Sequence, residues 1–521
     1  MKRMKTILGK LMMLSLAAVL FLAACKGGSG SSGSGSSGGA TTVTMLLLGD
    51  KPTNGKLEKI LAHNINPRLK ELASAELSLR YISWADWQNQ YQLTMASGDS
   101  GIDLVITATD WLFAWEIARK GGFLGMTDDL IKTNAPITWG EIPASHWDVC
   151  RADGKIWFIP EDQYTQYTNH GVFWRGDWGR EGGVTKVTNF AELEAYLDAV
   201  KKFHPEAVPY DVSGPNEDRY DAMLDGFFQE KNMTQGIRGI ATGNYGIFRY
   251  NTSDPYKVIS EYYEGPEFPE AAAMFDRWAK KGFWREDVLN YTGDTQQQLE
   301  LGLSGLRQHH SITYYGTVRP TMDRLFPGSD MGYFYWGMTN KNVGKDLITH
   351  GAMAINAASK NPEKALQVYD LLRNNKQIYQ WYNFGIEGED YVLTSDGRRD
   401  WPPNYDPDAD NGLGGNFWAG RNDKLELADA KWWSGTAGLI AELNSFAKDY
   451  PLEKFAFENS SVAAEISAVG DVCATYLPQI TYGKTNNPAQ AVAAFRAALK
   501  AAGYEKVRDE IQRQVNAAYG K

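Results

Sequence analysis

From Thr41 onward the apolar positions switch between two periods. Val43 to Leu48 is a short apolar run, and Lys56 to Ala73 carries Leu57, Ile60, Leu61, Ile65, Leu69 and Leu72 at helical spacing. Leu77 to Ile82 alternates as a strand does, Trp87 to Met95 reads as a helix, and Ile102 to Ile106 as a buried strand. Strand, helix, strand, helix, strand predicts a parallel α/β sheet. In open sheets of this kind ligands collect beyond the carboxyl ends of the strands. The segments Gly49 to Asn54, Ser83 to Trp87 and Thr107 to Trp111 fall there.

Farther along, strands are predicted at Gly154 to Pro160, Val172 to Trp174, Met331 to Trp336 and Ala352 to Ala357. Between them a helix runs from Asn189 to Phe203, capped by Thr188 or Asn189 and stopped by His204-Pro205. Ala271 to Lys281 and Thr295 to Leu301 are helical, and Asn361-Pro362 opens a helix that reaches Arg373. The last third is helical over Ala430 to Lys448, Ser461 to Tyr476, Ala489 to Ala502 and Tyr504 to Ala518. No repeat of 20 to 50 residues occurs.

The amino terminus follows a different pattern. A basic start leads into the apolar Leu11 to Ala24, broken only by Ser15, and then Leu22-Ala23-Ala24-Cys25. About 14 apolar residues cannot span a bilayer, and the pattern is that of a signal segment. It resembles a bacterial lipoprotein signal, which implies cleavage before Cys25 and a lipid on that residue. Lys26 to Ala40 is almost all Gly and Ser, a flexible tether reaching roughly 20 Å. The expected organisation is therefore a signal peptide over 1–24 and a lipidated Cys with its tether over 25–40.

Length and charge narrow the classes. A chain of 521 residues with 43% hydrophobic and 12% aromatic residues is neither disordered nor a single small core. Beyond the signal segment 49 Lys and Arg face 63 Asp and Glu, a net charge of −14 with His neutral, so nucleic acid is not an expected partner. Cys150 and Cys473 match no zinc or CxxC spacing and leave two readings open, two thiols or one long-range disulfide.

Chemistry is read mainly from tryptophan. Nine of the 17 Trp lie between Trp84 and Trp178, and broad aromatic faces suit the apolar faces of pyranose rings. Trp84 and Trp111 follow predicted parallel strands and fall in cleft-lining loops. The carboxylate pairs Asp128-Asp129 and Glu161-Asp162 could suggest glycoside hydrolysis, but Asp128-Asp129 stands where a helix N-terminus is capped. Outside the tether no GxSxG, HExxH, P-loop or GxGxxG occurs. No enzymatic activity and no cofactor is expected. Asp406, Asp408 and Asp410 alternate like the start of a calcium loop, yet Gly412 comes one residue late and Phe417 stands where a bidentate Glu belongs. These three are weak metal candidates, and no metal is expected. His309 and His310 are neighbours in a predicted strand, so only one of them should meet a ligand.

Several segments in order resemble the extracellular solute-binding proteins of ABC transporters, in the carbohydrate-uptake branch that includes maltose-binding protein. Ser97-Gly98-Asp99-Ser100-Gly101-Ile102-Asp103 resembles that family's short loop into an Asp-initiated strand. Gly154-Lys155-Ile156-Trp157-Phe158-Ile159-Pro160 resembles its first strand crossing between lobes. Ala354-Ile355-Asn356-Ala357 with Asn361-Pro362 resembles the second crossing and its helix, and Tyr476-Leu477-Pro478-Gln479-Ile480 with Asn487-Pro488 the C-terminal helices of its lipoprotein members.

The resemblance implies an α/β, two-lobe periplasmic-binding-protein-like fold of type II, with lobes joined by crossing strands around a ligand cleft. Lobe 1 would comprise 41–160 plus about 352–400, and lobe 2 161–351 plus about 401–521. Carried over residue by residue, it implies sugar contacts at Lys51 and Asp110, with Trp111 beside the latter. Tyr164 follows the first crossing, and Tyr314 and Tyr315 stand near the family's stacking aromatic, which is not Trp here. Trp84, Trp336 and Glu387 complete the expected ligand-binding set, and Cys25 is the expected lipidation site. The implied function is the substrate-binding component of an ABC importer that captures a sugar or oligosaccharide outside the cytoplasmic membrane. Its partners would be permease subunits, with membrane contact through the lipid alone and a monomeric state. Alternatives are a receptor for a peptide or other solute, an exported glycan hydrolase, and a surface protein that binds a macromolecule.

Overall fold

In the computed structural model, which describes residues 39–162, 170–212, 220–240, 246–403, 405–406 and 412–521, the first apolar run forms strand β1 (Thr41–Leu48). It pairs in parallel with β2 (Ala75–Ile82) along its whole length, Thr41 opposite Ala75 and Leu48 opposite Ile82. On its other edge it pairs in parallel with β3 (Leu104–Thr107), whose four residues are all buried. The order β2-β1-β3, with a helix between each pair in sequence, is the βαβ arrangement expected from the alternating periods.

Two further strands extend this sheet. The short β4 (Ile159–Pro160) lies at its edge, and a strand from the middle of the chain, Ala352–Ile355, inserts between β3 and β4, antiparallel to both. The sheet is therefore mixed: β4, antiparallel to the inserted strand, points the same way as β1 to β3, so four of the five strands keep the common direction expected from the sequence. Only the strand Ala352–Ile355 runs the other way, because its segment returns from the other half of the molecule, whereas β4 leaves toward that half.

That other half holds two antiparallel sheets. In one, β5 (His170–Trp174) lies between a strand at Leu306–His310 and a strand at Gly332–Tyr335. In the other, Arg249–Asn251 lies between Thr234–Gly236 and Asp254–Ile259. The helices Ala463–Thr481, Pro488–Ala501 and Tyr504–Tyr519 pack into the same core as β5. Two separate large cores result, one built on β1 to β3 and one on β5 with the C-terminal helices. The chain passes between them near 159–172 and 347–352, and again after Phe417 and Ala419, which still belong to the first core. The first two passages are tied together, since Glu161 N–H donates to Gly351 O at 2.8 Å and Asp162 N–H to Ile348 O at 3.2 Å.

Local chemistry explains the boundaries. Asn189 Oδ1 accepts from Glu192 N–H at 2.9 Å and caps Phe190–Phe203. At Asp128–Asn134 the cap is Thr127, whose Oγ1 accepts from Leu130 N–H, so Asp128 and Asp129 lie in the first turn instead. Asp128 there pairs with Arg151 at 2.9 Å. The helical stretch from Lys56 to Ala73 contains a π turn, Leu61–Ile65, just before Asn66-Pro67, and a second π turn, Tyr314–Val318, precedes Arg319-Pro320. Proline lacks the N–H of a normal turn and its ring crowds the carbonyl four residues back, and a widened turn relieves both. Cys150 is buried in the first core and Cys473 in the second, and no disulfide joins them. Among the described residues no helix is long and apolar enough to cross a membrane. The expected signal segment, Cys25 and nearly all of the expected tether lie outside the described residues.

Candidate functional site: a cleft between two cores

A cavity of about 1180 Å³ opens between the two cores, larger than the roughly 300–1,000 Å³ of a drug-sized pocket. One wall is tryptophan. β2 ends at Ile82, and Ser83 then caps a short 3₁₀ turn, accepting from Ala85 N–H, which presents Trp84 at the mouth with 43% of its surface exposed. Trp84 stacks on Trp418 (6.1 Å between ring centroids, 22°) and lies 6.3 Å from Trp111. Trp111 in turn meets Trp87 edge-on at 5.2 Å and Trp418 at 6.2 Å. Four indoles from three remote segments thus form one continuous surface. Trp111 is fixed by its Nε1–H, which donates to His350 O at 2.9 Å.

The base of the cleft is charged. His350 Nδ1 lies 2.7 Å from Asp110 Oδ2 and 3.5 Å from Asp346 Oδ2. Burial alone would discharge the imidazole, but the two carboxylates outweigh it and raise its pKa to about 10, so it is cationic at neutral pH. Asp346 is buried as well, yet His350 and then Arg238 hold its carboxyl below the usual range. Asp110 is 6% exposed, and its second oxygen, Oδ1, has no hydrogen-bond partner among the described residues. A buried carboxylate oxygen left open in this way is costly unless something donates to it. Nearby, burial lifts Glu161 in the first crossing to about 8, against the opposing charges of His350 and Arg421.

The facing wall carries neutral polar groups. His170, His309 and His310 cluster with ring centroids 4.2 to 5.8 Å apart, and all three line the cavity. Burial lowers His170 to about 4 and His310 to about 3, and lowers His309 well below its usual value. His310 Nδ1 accepts from Thr313 N–H at 3.4 Å, which leaves the proton on Nε2. The expectation that only one of His309 and His310 could face a ligand is not met. The strand ends at His310, which is already the N-cap of the next helix with φ −85° and ψ 167°, so strand alternation no longer separates the two rings.

Asp110, Asp346 and His350 are the group among the described residues whose ligand atoms lie within 4.8 Å of one another, as a metal ion requires. With no ion between them, the protonated imidazole and the guanidinium of Arg238 balance those carboxylates. Asp406 is exposed and outside this group, and Asp408 and Asp410 lie outside the described residues.

Of the residues expected from the sequence, Trp84, Asp110, Trp111 and Trp336 line the cavity. Trp336 is 1% exposed and stacks on Phe190 at 5.5 Å, so most of it serves the core. The others lie elsewhere. Lys51 is not in the cavity wall but pairs with Glu58 at 2.7 Å on the surface, and it is Asp50 that lines the mouth. Tyr314 and Tyr315 are buried in a separate apolar cluster: Tyr314 stacks on Tyr333 and donates to Met331 O, while Tyr315 meets Trp432 edge-on. Glu387 falls outside the wall, although Asn383 and Phe384 on the preceding helix line it. Tyr164 lies outside the described residues. Sequence reasoning missed Trp418, His350, Asp346 and Arg238. A lone Trp within the Gly-rich stretch from Gly412 to Gly420 was the one available signal for Trp418.

Two lobes with separate cores, hydrogen-bonded crossing segments and a cleft between them define the type II solute-binding fold, of the kind seen in maltose-binding-protein-like proteins. The chain is 25% identical over 507 residues to a carbohydrate ABC transporter substrate-binding protein of Streptococcus pneumoniae, covering 95% of this chain and 94% of that one. The N-glycan transport solute-binding protein NgtS of Streptococcus pneumoniae, solved with Man1GlcNAc, superposes with a TM-score of 0.69 at 21% identity over 92% of this chain and 100% of that one. The alginate-binding protein AlgQ2 superposes with a TM-score of 0.61 at 19% identity, over 91% and 98% of the two chains. A family described as a domain of unknown function, DUF3502, matches residues 451–519, the three C-terminal helices and the segment leading into them.

Proposed function

We propose that this chain is the substrate-binding component of a carbohydrate ABC importer, capturing a sugar or oligosaccharide outside the cytoplasmic membrane and delivering it to a permease. The observation that carries the reading is the wall of Trp84, Trp87, Trp111 and Trp418 beside the open Asp110 Oδ1. Pyranose rings present apolar faces to indoles and hydroxyl donors to a carboxylate, and one ligand satisfies both. The 25% identical substrate-binding protein supports the same reading. Ligand bridging the two walls favours the closed lobes, and the permease would read that closed state.

Within this reading Trp84, Asp110, Trp111 and Trp418 contact the ligand, with Trp336 at the rear. No chemical step is involved, the protein is a monomer, and a lipid on Cys25 holds it at the membrane. Thermal unfolding of the protein with a panel of mono- and oligosaccharides and peptides tests the proposal. A ligand at a hundredfold excess over its Kd adds about 2.7 kcal/mol of stability. A saturable rise in Tm with a saccharide recovered intact supports it. Breakdown of the saccharide, or a rise with peptides alone, refutes it.

A further inference from the structure

We infer that this cleft selects neutral oligosaccharides and rejects those that carry carboxylate or sulfate groups. The inference rests on the carbohydrate reading above and concerns which members of that class bind. AlgQ2 has this fold and is named for alginate, a polyuronate, so the fold leaves the charge of the ligand open and the wall residues must decide it.

An acidic sugar needs a cation to replace the water it loses, since an uncompensated buried charge is far costlier than a buried hydroxyl. No lysine lines the cavity among the described residues, and two of its three arginines, Arg399 and Arg421, are held by carboxylates. Arg399 donates to Asp429 at 2.6 Å, and Arg421 to Asp423 at 2.7 Å with Glu426 at 3.9 Å. The charge on His350 is shared between Asp110 and Asp346.

Arg238 has no carboxylate within 4 Å among the described residues, but Asp346, Asp110 and Asp225 all bear on it and strengthen its hold on its proton. An anionic ligand there would replace none of them and would come up against Asp346 and Asp110, Asp225 being paired with Arg249. Toward the mouth, Asp50 accepts from the Ser83 hydroxyl with no cation within 4 Å among the described residues, while Asp294 caps the helix Thr295–Glu300 and lies 3.9 Å from Arg307. The neutral imidazoles of the facing wall offer donors without charge. A ligand of hydroxyls and acetamido groups finds partners on every side, whereas a carboxylate finds a single cation without a direct carboxylate partner, Arg238, and that one is flanked by Asp346 and Asp110. The −14 charge of the chain beyond its signal segment repels anions at longer range as well.

Isothermal titration of the lipid-free mature protein at low salt tests this. The neutral probes are Man1GlcNAc, maltotriose and lacto-N-tetraose, and the acidic probes are trimannuronate, trigalacturonate and sialyllactose. The tightest neutral ligand is then compared with its derivative oxidised from CH₂OH to carboxylate at one C6. The expected result is a neutral ligand as the tightest binder and at least a tenfold loss on oxidation. That loss should shrink at least twofold in Asp50→Asn and on raising the salt. An acidic probe binding tightest, or an oxidised ligand bound as well as its parent, overturns the inference and leaves the carbohydrate reading standing. Binding by none of the saccharides overturns that reading, and the inference with it.

Discussion

Trp84→Ala separates a binding surface from a core contact more cleanly than any other change in the cleft. The side chain is 43% exposed, which leaves roughly 100 Å² of a Trp side chain of about 250 Å² open to solvent. A sugar ring covering that area at about 25 cal/mol per Å² contributes about 2.5 kcal/mol, a loss of roughly 50- to 100-fold in affinity when it is removed. The fold also loses the buried remainder of the ring, roughly 140 Å² or up to about 3.5 kcal/mol, and its contacts with Trp87, Trp111 and Trp418, while the other three indoles keep their contacts with one another. Tm without ligand should fall by several degrees with the protein still folded at the temperature of the titration. Trp111→Ala is a poorer test, since its Nε1–H holds the His350 carbonyl and its loss would loosen the base of the cleft. Titration of wild type, Trp84→Ala and Trp84→Phe with the same saccharide, beside a thermal melt of each, gives both quantities. The Phe variant should fall between the other two. An unchanged Kd in Trp84→Ala, measured well below its melting range, would refute the assignment of the indole wall as the binding surface.

Three other outcomes follow from the buried charges and thiols. His350→Gln leaves Asp110 and Asp346 buried without their protonated partner and should cost about 3 kcal/mol in urea unfolding at pH 7; a change below 0.5 kcal/mol would show that the cluster is not held by that charge. Glu161 and His350 both keep their protons longer in the folded state, to about 8 and about 10 against ordinary values of 4.5 and 6.5. Each therefore contributes stability that is complete below its ordinary value and is lost as pH rises toward its folded one, at up to about 1.4 kcal/mol per pH unit. Urea melts at pH 5, 6.5 and 8 should show a steady decline that Glu161→Gln makes shallower, and a stability that rises over this range would contradict the assignment. Because Cys150 and Cys473 sit in different cores with no bridge between them, reductant should change neither the Tm nor the gel mobility of the protein.

The residues that sequence reasoning placed well are those whose role is set by near neighbours. The apolar run of β1, the alternation of β2 and the Asn189 cap depend on periodicity and on hydrogen bonds within three or four residues. Trp84 and Trp111 could be assigned to the cleft because each directly follows a strand whose direction the βαβ pattern implies. The same local logic failed where the backbone departs from its regular period. His309 and His310 share a wall because the strand gives way to a helix at that point; Tyr314 and Tyr315, expected in the cleft from the family resemblance alone, sit in a π turn with both rings in an apolar cluster.

What only the tertiary structure decided is the charged base of the cleft and the completion of the indole wall. Asp110 and His350 are 240 residues apart in the chain, and Trp418 reaches Trp84 and Trp111 only because its loop returns to the first core. The strand at Ala352–Ile355, entering the first sheet antiparallel, brings His350 and Asp346 to the end of β3. Local periodicity specifies which way a side chain faces relative to its own element. Which remote charge stands opposite, and so whether His350 is protonated or Asp110 keeps an open oxygen, depends on burial and on distances of a few ångströms that exist only once the two cores have packed.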